Sequence, residues 1–453
     1  MHIFRRNRLR VSAPWALAAI LGGLSPAGIA LADVGPSAQP VGASGTVERV
    51  SVAPDGAEIP RASWASHVTP LLSRHGRFVV FDTYVALTGS DTNGQPDVYV
   101  RDRVLGTTEL VSVAGGSARG GGDAGISADG RHVAFLSSSA LAEDDNNGHL
   151  DVFVRDMVTG KLTLASKATD GTQRNVDVND AVISGDGSRV AFMTAARLSA
   201  ADDDAATGDE SWKRQDVYVH NIASGHTRLV SVDRGGQNFT GPVGLGGMSY
   251  DGRLVGFSWL NPGRHKLDVP AGFYVRNIAK PGSKLIWREN LSLPEEGAPA
   301  LSGNGRYAAF TSNSSRLDAD RYDLNDVARY DRQTGRLSLV SVGADSTNAN
   351  WDSWGALLSY SGRYVSFTSE ADNLVPGDDN DARDAFRLDL AADQMTLVSA
   401  APDGGPGNDP SAYGGAAAIS GDGQHVAFQS FASDLVPGDT NEQGDVFLWT
   451  ALD

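Results

Sequence analysis

An all-β fold, a seven-bladed β-propeller of four-stranded antiparallel blades, is what this sequence predicts, and three observations predict it. A glycine-anchored pattern recurs seven times along the 453 residues, and a fixed repeat of that length signals a repeat architecture rather than separate domains. The residues after each glycine alternate apolar and polar, as half-buried strands do. The two ends of the chain carry complementary pieces of one repeat, which predicts a ring closed by an N-terminal strand completing the last blade.

The repeat opens with an apolar residue and a serine, continues to a glycine three residues on, and ends at a phenylalanine. Gly76, Gly130, Gly187, Gly252, Gly305, Gly362 and Gly423 hold the glycine place; Phe81, Phe135, Phe192, Phe257, Phe310, Phe367 and Phe428 hold the last. Asp-Gly at 129–130, 186–187, 251–252 and 422–423 is a hairpin dipeptide, in which Gly supplies positive φ and Asp tolerates it. In the strand that follows, Val133 and Phe135 fall on one face. A loop then leads to a third strand, residues 151–156 in the second repeat, and a turn at Gly160 leads to a fourth, 162–165. One such sheet cannot bury both faces alone, so the units pack around a common axis. The last repeat stops after its third strand, at Trp449, while residues 46–52 copy the fourth strand seen at 108–113. Residues 46–52 are therefore expected to complete the final blade.

Composition agrees with many short strands joined by tight turns, with 53 glycines and 19 prolines. Residues 1–32 read as a secretory signal peptide, with a basic start at Arg5, Arg6, Arg8 and Arg10, an apolar stretch at 16–24 and a small-x-small site at 30–32. Residues 33–44 read as a linker and 45–453 as the propeller. The expected location is periplasmic or secreted, with no membrane span after cleavage. Cleavage would leave 34 basic against 55 acidic residues, a net charge of −21, which makes nucleic acid an improbable partner. With no cysteine, stability must come from packing and, where present, metal.

The Ser-x-Asp-Gly-Arg signature and the Val-Phe-Val-Arg-Asp strands resemble the PD40 (WD40-like) repeats of TolB-like propellers, over residues 45–450. That resemblance implies the propeller fold. Similar repeats occur in the propellers of prolyl-oligopeptidase-like peptidases, but the Gly-x-Ser-x-Gly elbow of their hydrolase domain is absent here.

Between the second and third strands, four repeats share Asp-x-Asn-x-x-x-Asp: Asp91/Asn93/Asp97, Asp145/Asn147/Asp151, Asp378/Asn380/Asp384 and Asp439/Asn441/Asp445. A fifth keeps only the acids Asp320 and Asp326; the third repeat carries Asp202, Asp203, Asp204, Asp209 and Glu210 ahead of Asp216. The fourth replaces the acids with Arg264, His265 and Lys266. Alternating carboxylate and amide oxygens suit calcium, which takes six to eight oxygen ligands. The same residues also cap turns through side-chain to backbone hydrogen bonds. Both readings stand at this level: no cofactor is required and calcium is the candidate ion.

Topology places all these loops on the face that carries the inter-blade connections, a ring of acids interrupted at the fourth blade. His75, His132, His149 and His425 are scattered rather than clustered, and Trp64, Trp212, Trp351 and Trp354 lie between repeats or in insertions. Two functions follow as expectations. The first is an exported, monomeric, non-enzymatic scaffold binding a protein or cell-envelope component through the acidic face. The second is an exported metal-dependent carbohydrate-active or lactone-type enzyme with its metal in the central channel.

Overall fold

The structure is a computed structural model of the chain. It describes residues 45–58, 70–202, 215–239, 241–259, 270–280, 282–288, 298–313, 317, 324–344, 346–412, 415–441 and 443–452. The leader and linker, Trp64, Trp212, the acids at 203, 204, 209 and 210, the basic loop 264–266 and residue 320 lie outside the described residues.

The described chain forms seven four-stranded antiparallel sheets, and one small two-stranded sheet that follows the first of them. Blade 1 runs Leu71–Leu72, Phe78–Thr83, Asp97–Asp102, Thr107–Leu110; blade 2 runs Gly122–Ile126, His132–Ser137, Asp151–Asp156, Leu162–Leu164. Blade 3 follows as Val178–Ile183, Arg189–Thr194, Asp216–Asn221, Thr227–Leu229, and blade 4 as Val243–Met248, Leu254–Trp259, Gly272–Asn277, Ser283–Arg288. Blade 5 is Ala300–Leu301, Tyr307–Ser312, Asp326–Asp331, Leu337–Leu339; blade 6 is Ser353–Leu358, Tyr364–Ser369, Asp384–Asp389, Gln394–Leu397. Blade 7 takes Ala418–Ile419, His425–Ser430 and Asp445–Ala451 from the C-terminus and Gly45–Arg49 from the N-terminus. Gly45 pairs with Ala451 and Arg49 with Phe447, so the first described strand closes the ring as the sequence predicts. The third strand of blade 7 continues to Ala451, two residues past the expected end at Trp449.

The recurring phenylalanine sits on the second strand opposite an aromatic of the third in six blades. Phe135 and Phe153 are an example, with ring centroids 6.0 Å apart. In blade 5 the partner is Ala328, and Phe310 packs instead on Phe273 of blade 4, at 4.8 Å. Burial follows the seven-fold plan: seven apolar clusters form among the described residues, each between two neighbouring blades. The cluster joining Ala427 and Leu448 of blade 7 to Val79 and Phe81 of blade 1 completes the circuit.

A ring of backbone hydrogen bonds closes the same circuit. Residues just after the repeat serine bond across every junction: Arg74 to Ala128, Ala128 to Gly185, Asp186 to Tyr250, Tyr250 to Gly303, Asn304 to Tyr360, Tyr360 to Gly421, and Asp422 back to Arg74. Side chains from three non-adjacent blades meet inside this ring. The Arg74 guanidinium lies 4.6 Å from the Tyr360 ring and 5.9 Å from that of Tyr250, and the two tyrosines are 5.7 Å apart, edge to face. Groups from blades 1, 4 and 6 can touch only across the axis, so they fill one mouth of the central channel. Gly185, Gly303 and Gly421 make room: a Cβ there would lie 2.6 Å from Tyr250, 2.4 Å from Tyr360 and 2.8 Å from Arg74.

Candidate functional site at the acidic loop face

The loops between second and third strands meet the inter-blade connections on one face. Gln173, in the connection after blade 2, donates to Asp145 of that blade's loop at 2.9 Å, and Asn408, after blade 6, meets Asp434 at 3.0 Å. All twelve motif residues lie on this face, in four separate loops.

The last acid of each motif is a structural clasp. Asp97, Asp151, Asp384 and Asp445, with Asp216 and Asp326 of the variant repeats, open their third strands and are at most 3% exposed. Each accepts a hydrogen bond from the serine two residues past the outer strand of its blade: Ser112, Ser166, Ser399, Ser51, Ser231 and Ser341. The same Oγ accepts from the amide that follows the acid, 2.9 Å for Val98 and 3.0 Å for Val446. This arrangement satisfies a buried carboxylate and a buried amide together, as buried polar groups require.

The asparagines cap turns. Asn93, Asn380 and Asn441 donate through Nδ2 to the clasp acid at 2.8, 2.9 and 3.0 Å. Their Oδ1 atoms accept from the amide two residues on, and Asn147 does the same for His149. These carbonyl oxygens are thus already engaged as acceptors, each in a local turn.

The first acids differ from blade to blade, and the difference traces to one position. Seven residues beyond the clasp serine, Gln173 bridges Asp145 and Asp151, and Asn238 reaches Asp202 and Asp216. In blade 1 the turn after the serine is one residue shorter, with Val113 paired to Ala118 where Val232 pairs with Asn238, and Asp91 keeps only the tyrosine hydroxyl, Tyr99, that Asp202 also has in Tyr218. In blade 7 the position holds Glu58, which brings Glu58, Asp439 and Asp445 within 4.8 Å of one another. Arg49, from the closing strand, places Nη1 at 2.7, 3.2 and 3.4 Å from these three carboxylates. Hydrogen bonds from Thr440 and Arg49 pull Glu58 down to about 2, whereas burial and neighbouring Asp445 push Asp439 up to about 6. In blade 6 the position is Pro406, which has no donor to offer. Asp378 is 7% exposed there, and burial with the nearby Asp384, Asp372 and Asp379 charges pushes it up to about 8. Burial also raises Asp384, to about 6.

Glu58, Gln173, Asn238 and Arg49 are absent from the motif read in the sequence. A signal for three of them exists, the fixed distance from the outer-strand serine, but it becomes visible only once that serine is known to hold the acid of the third strand. Of the scattered histidines, His75 binds Asp422 and His149 binds Asp177 at the surface. Trp351 is 54% exposed and donates to Glu370, and Trp354 stacks under Arg383.

The two faces differ in how acids are neutralised. On the opposite face, arginines pair with the acids that end the third strands: Arg77–Asp102, Arg131–Asp156, Arg306–Asp331 and Arg363–Asp389, at 2.6 to 2.7 Å. These hydrogen bonds hold Asp102, Asp156 and Asp331 below the usual carboxylate range. On the loop face, hydroxyls and amides hold most of the motif acids, Arg49 and Lys167 pair with acids of blades 7 and 2, and Glu143, Asp379 and Asp409 stand exposed.

No protein-family model and no curated protein matches the chain. Solved structures do match in fold. An oligogalacturonate lyase in complex with manganese aligns at a TM-score of 0.52 and 11% identity, covering 92% of this chain and 96% of that one. The β-propeller domain of the Trilobed protease from Pyrococcus furiosus aligns at 0.52 and 10%, covering 85% and 96%. An acylaminoacyl peptidase aligns at 0.52 and 10%; 85% of this chain matches 51% of that one. At such identities the likeness establishes the propeller fold alone.

Proposed function

We propose that this protein is an exported, non-catalytic propeller of the TolB-like kind, which binds a cationic protein or cell-envelope component through its acidic loop face. The observation that carries this reading is a difference between the faces: arginines pair the strand-end acids one to one on one side, while on the other hydroxyls and amides hold most of the motif acids, and Glu143, Asp379 and Asp409 are exposed with no salt bridge among the described residues. Such a surface draws basic partners and speeds their encounter in a salt-dependent way. The filled mouth at Arg74, Tyr250 and Tyr360 supports the same reading, because it leaves the loop side as the broader recognition surface.

The test is charge reversal. Glu143→Lys with Asp379→Lys and Asp409→Lys should abolish binding of a lysine-rich peptide and of the envelope partner, whereas Asp251→Lys, on the opposite face, should leave both intact. Equal binding by the two variants would refute the proposal.

A second reading, calcium at blade 7, is favoured by the Glu58, Asp439 and Asp445 triad and by Asp439 Oδ2, which is buried without a hydrogen-bond partner. Arg49 already supplies positive charge there, so an ion would compete with it. Calcium should raise the melting temperature of Arg49→Gln more than that of the native chain, with chelator reversing the effect; no calcium response in either would exclude the site. The metal-dependent enzyme remains the alternative function, and calcium- or manganese-dependent turnover of a polysaccharide would establish it over the scaffold.

A further inference from the structure

We infer that a cavity on the outer rim, beside blades 3 and 4, is a binding site for a small, multiply charged oxyanion. The cavity measures about 1080 Å³. Arg174, Arg197, Arg228, Arg276 and Lys280 line it beside a single carboxylate, Asp170, in a chain whose net charge is −17. None of the five cations makes a salt bridge among the described residues. Leu198, Leu229 and Val232 form an apolar wall, and charge–charge attraction is stronger beside such a surface than in open water.

Arg276 is the second, independent observation. It is 7% exposed, and its Nε and Nη1 are buried with no hydrogen-bond partner. The repeat provides an internal control, because Arg155 occupies the same fifth place on the third strand of blade 2. Arg155 is fully used: Nε donates to the Val111 carbonyl at 2.7 Å, Nη1 to that of Gly160 at 3.1 Å, and Nη2 to that of Val113. In blade 4 the carbonyl equivalent to Val111 is that of Val230, and Ser283 donates to it instead. Ser283 stands opposite Arg276, at the place that Leu162, which has no hydroxyl, takes opposite Arg155. With that carbonyl taken by Ser283, Nε and Nη1 of Arg276 are left without acceptors, and the side chain lines the cavity. A buried guanidinium without acceptors is costly, and a bidentate oxyanion, carboxylate or phosphate, fits its geometry. Arg228 helps to shape the site, since its Nη1 is tied to the Ile278 carbonyl. The cavity borders the loop face, since Arg174 and Arg197 belong to its connections and loops, but an oxyanion site there does not depend on the function proposed for that face.

Titration calorimetry of the full chain with pyrophosphate and with citrate, at constant ionic strength, tests the inference. Saturable binding of either probe is expected, and which one binds more tightly identifies phosphate or carboxylate as the preferred chemistry. Arg276→Met should weaken that binding about tenfold or more. Arg197→Gln and Lys280→Gln, at exposed positions, should each weaken it by a smaller factor with an unchanged melting temperature. Absence of binding by both anions would overturn the inference. So would native affinity in folded Arg276→Met or, should that variant not fold, native affinity in both Arg197→Gln and Lys280→Gln.

Discussion

The hairpin glycines serve two masters at once, and only one is local. Each has positive φ, from 63° at Gly252 to 76° at Gly130 and Gly423, as the turn chemistry demands. Each also receives the first side chain of a neighbouring second strand: Phe78 lies on Gly130, His132 on Gly187, Tyr364 on Gly423, and His425 on Gly76. A Cβ at Gly423 would stand 2.0 Å from Tyr364. Gly160, with φ of 71°, has open space around it and isolates the backbone cost. Gly423→Ala should therefore destabilise by clearly more than Gly160→Ala, whose cost is about 1 kcal/mol; equal midpoints in urea would contradict the packing role. The same contacts explain why His132 and His425 are half-buried at blade junctions rather than exposed. Alternation along one strand shows that they leave the sheet, but not that the next blade arrives there.

Within the loop elements, the carboxylates that recur in sequence divide into clasps and variable partners. The clasp acids were legible as strand-entry residues, since Asp at that place recurs in six blades. Their serines lie fifteen residues away and, for Asp445, at the far end of the chain, so spacing alone could not join them. The variable acid in blade 6 yields a pH prediction. Asp378 has a folded pKa near 8, above its unfolded value of about 3.9. The folded state thus holds a proton that the unfolded chain has lost, and stability falls as pH rises from about 4 to 8. Asp378→Asn should remove this slope, raising the melting temperature by a few degrees at pH 8 and little at pH 4. A parallel pH profile in the variant would show that Asp378 ionises normally.

At the level of the whole molecule, the ring is held by seven similar junctions, and one of them joins the two ends of the chain. Residues 45–58 supply the outer strand of blade 7, the clasp serine Ser51, the cation Arg49 and the third carboxylate, Glu58. Deleting them would expose the edge of Asp445–Ala451 and leave Asp439 and Asp445 without their arginine. Loss of a single cooperative transition, or dimerisation through the bare edge, is expected; an unchanged melting profile by calorimetry would contradict closure. The sequence by itself determined the architecture, because seven copies of one half-buried sheet, each unable to cover its own faces, admit few arrangements but a wheel, and a displaced strand at one terminus names the junction. It also determined which face bears the acids, since strand order fixes where loops emerge. Only the tertiary structure decided what those acids do, and it alone placed Arg74, Tyr250 and Tyr360 across the axis and left Arg276 without partners beside a basic cavity. The physical reason is that strand periodicity is a local property, whereas the charge a carboxylate or guanidinium feels is set by groups brought near it from other blades.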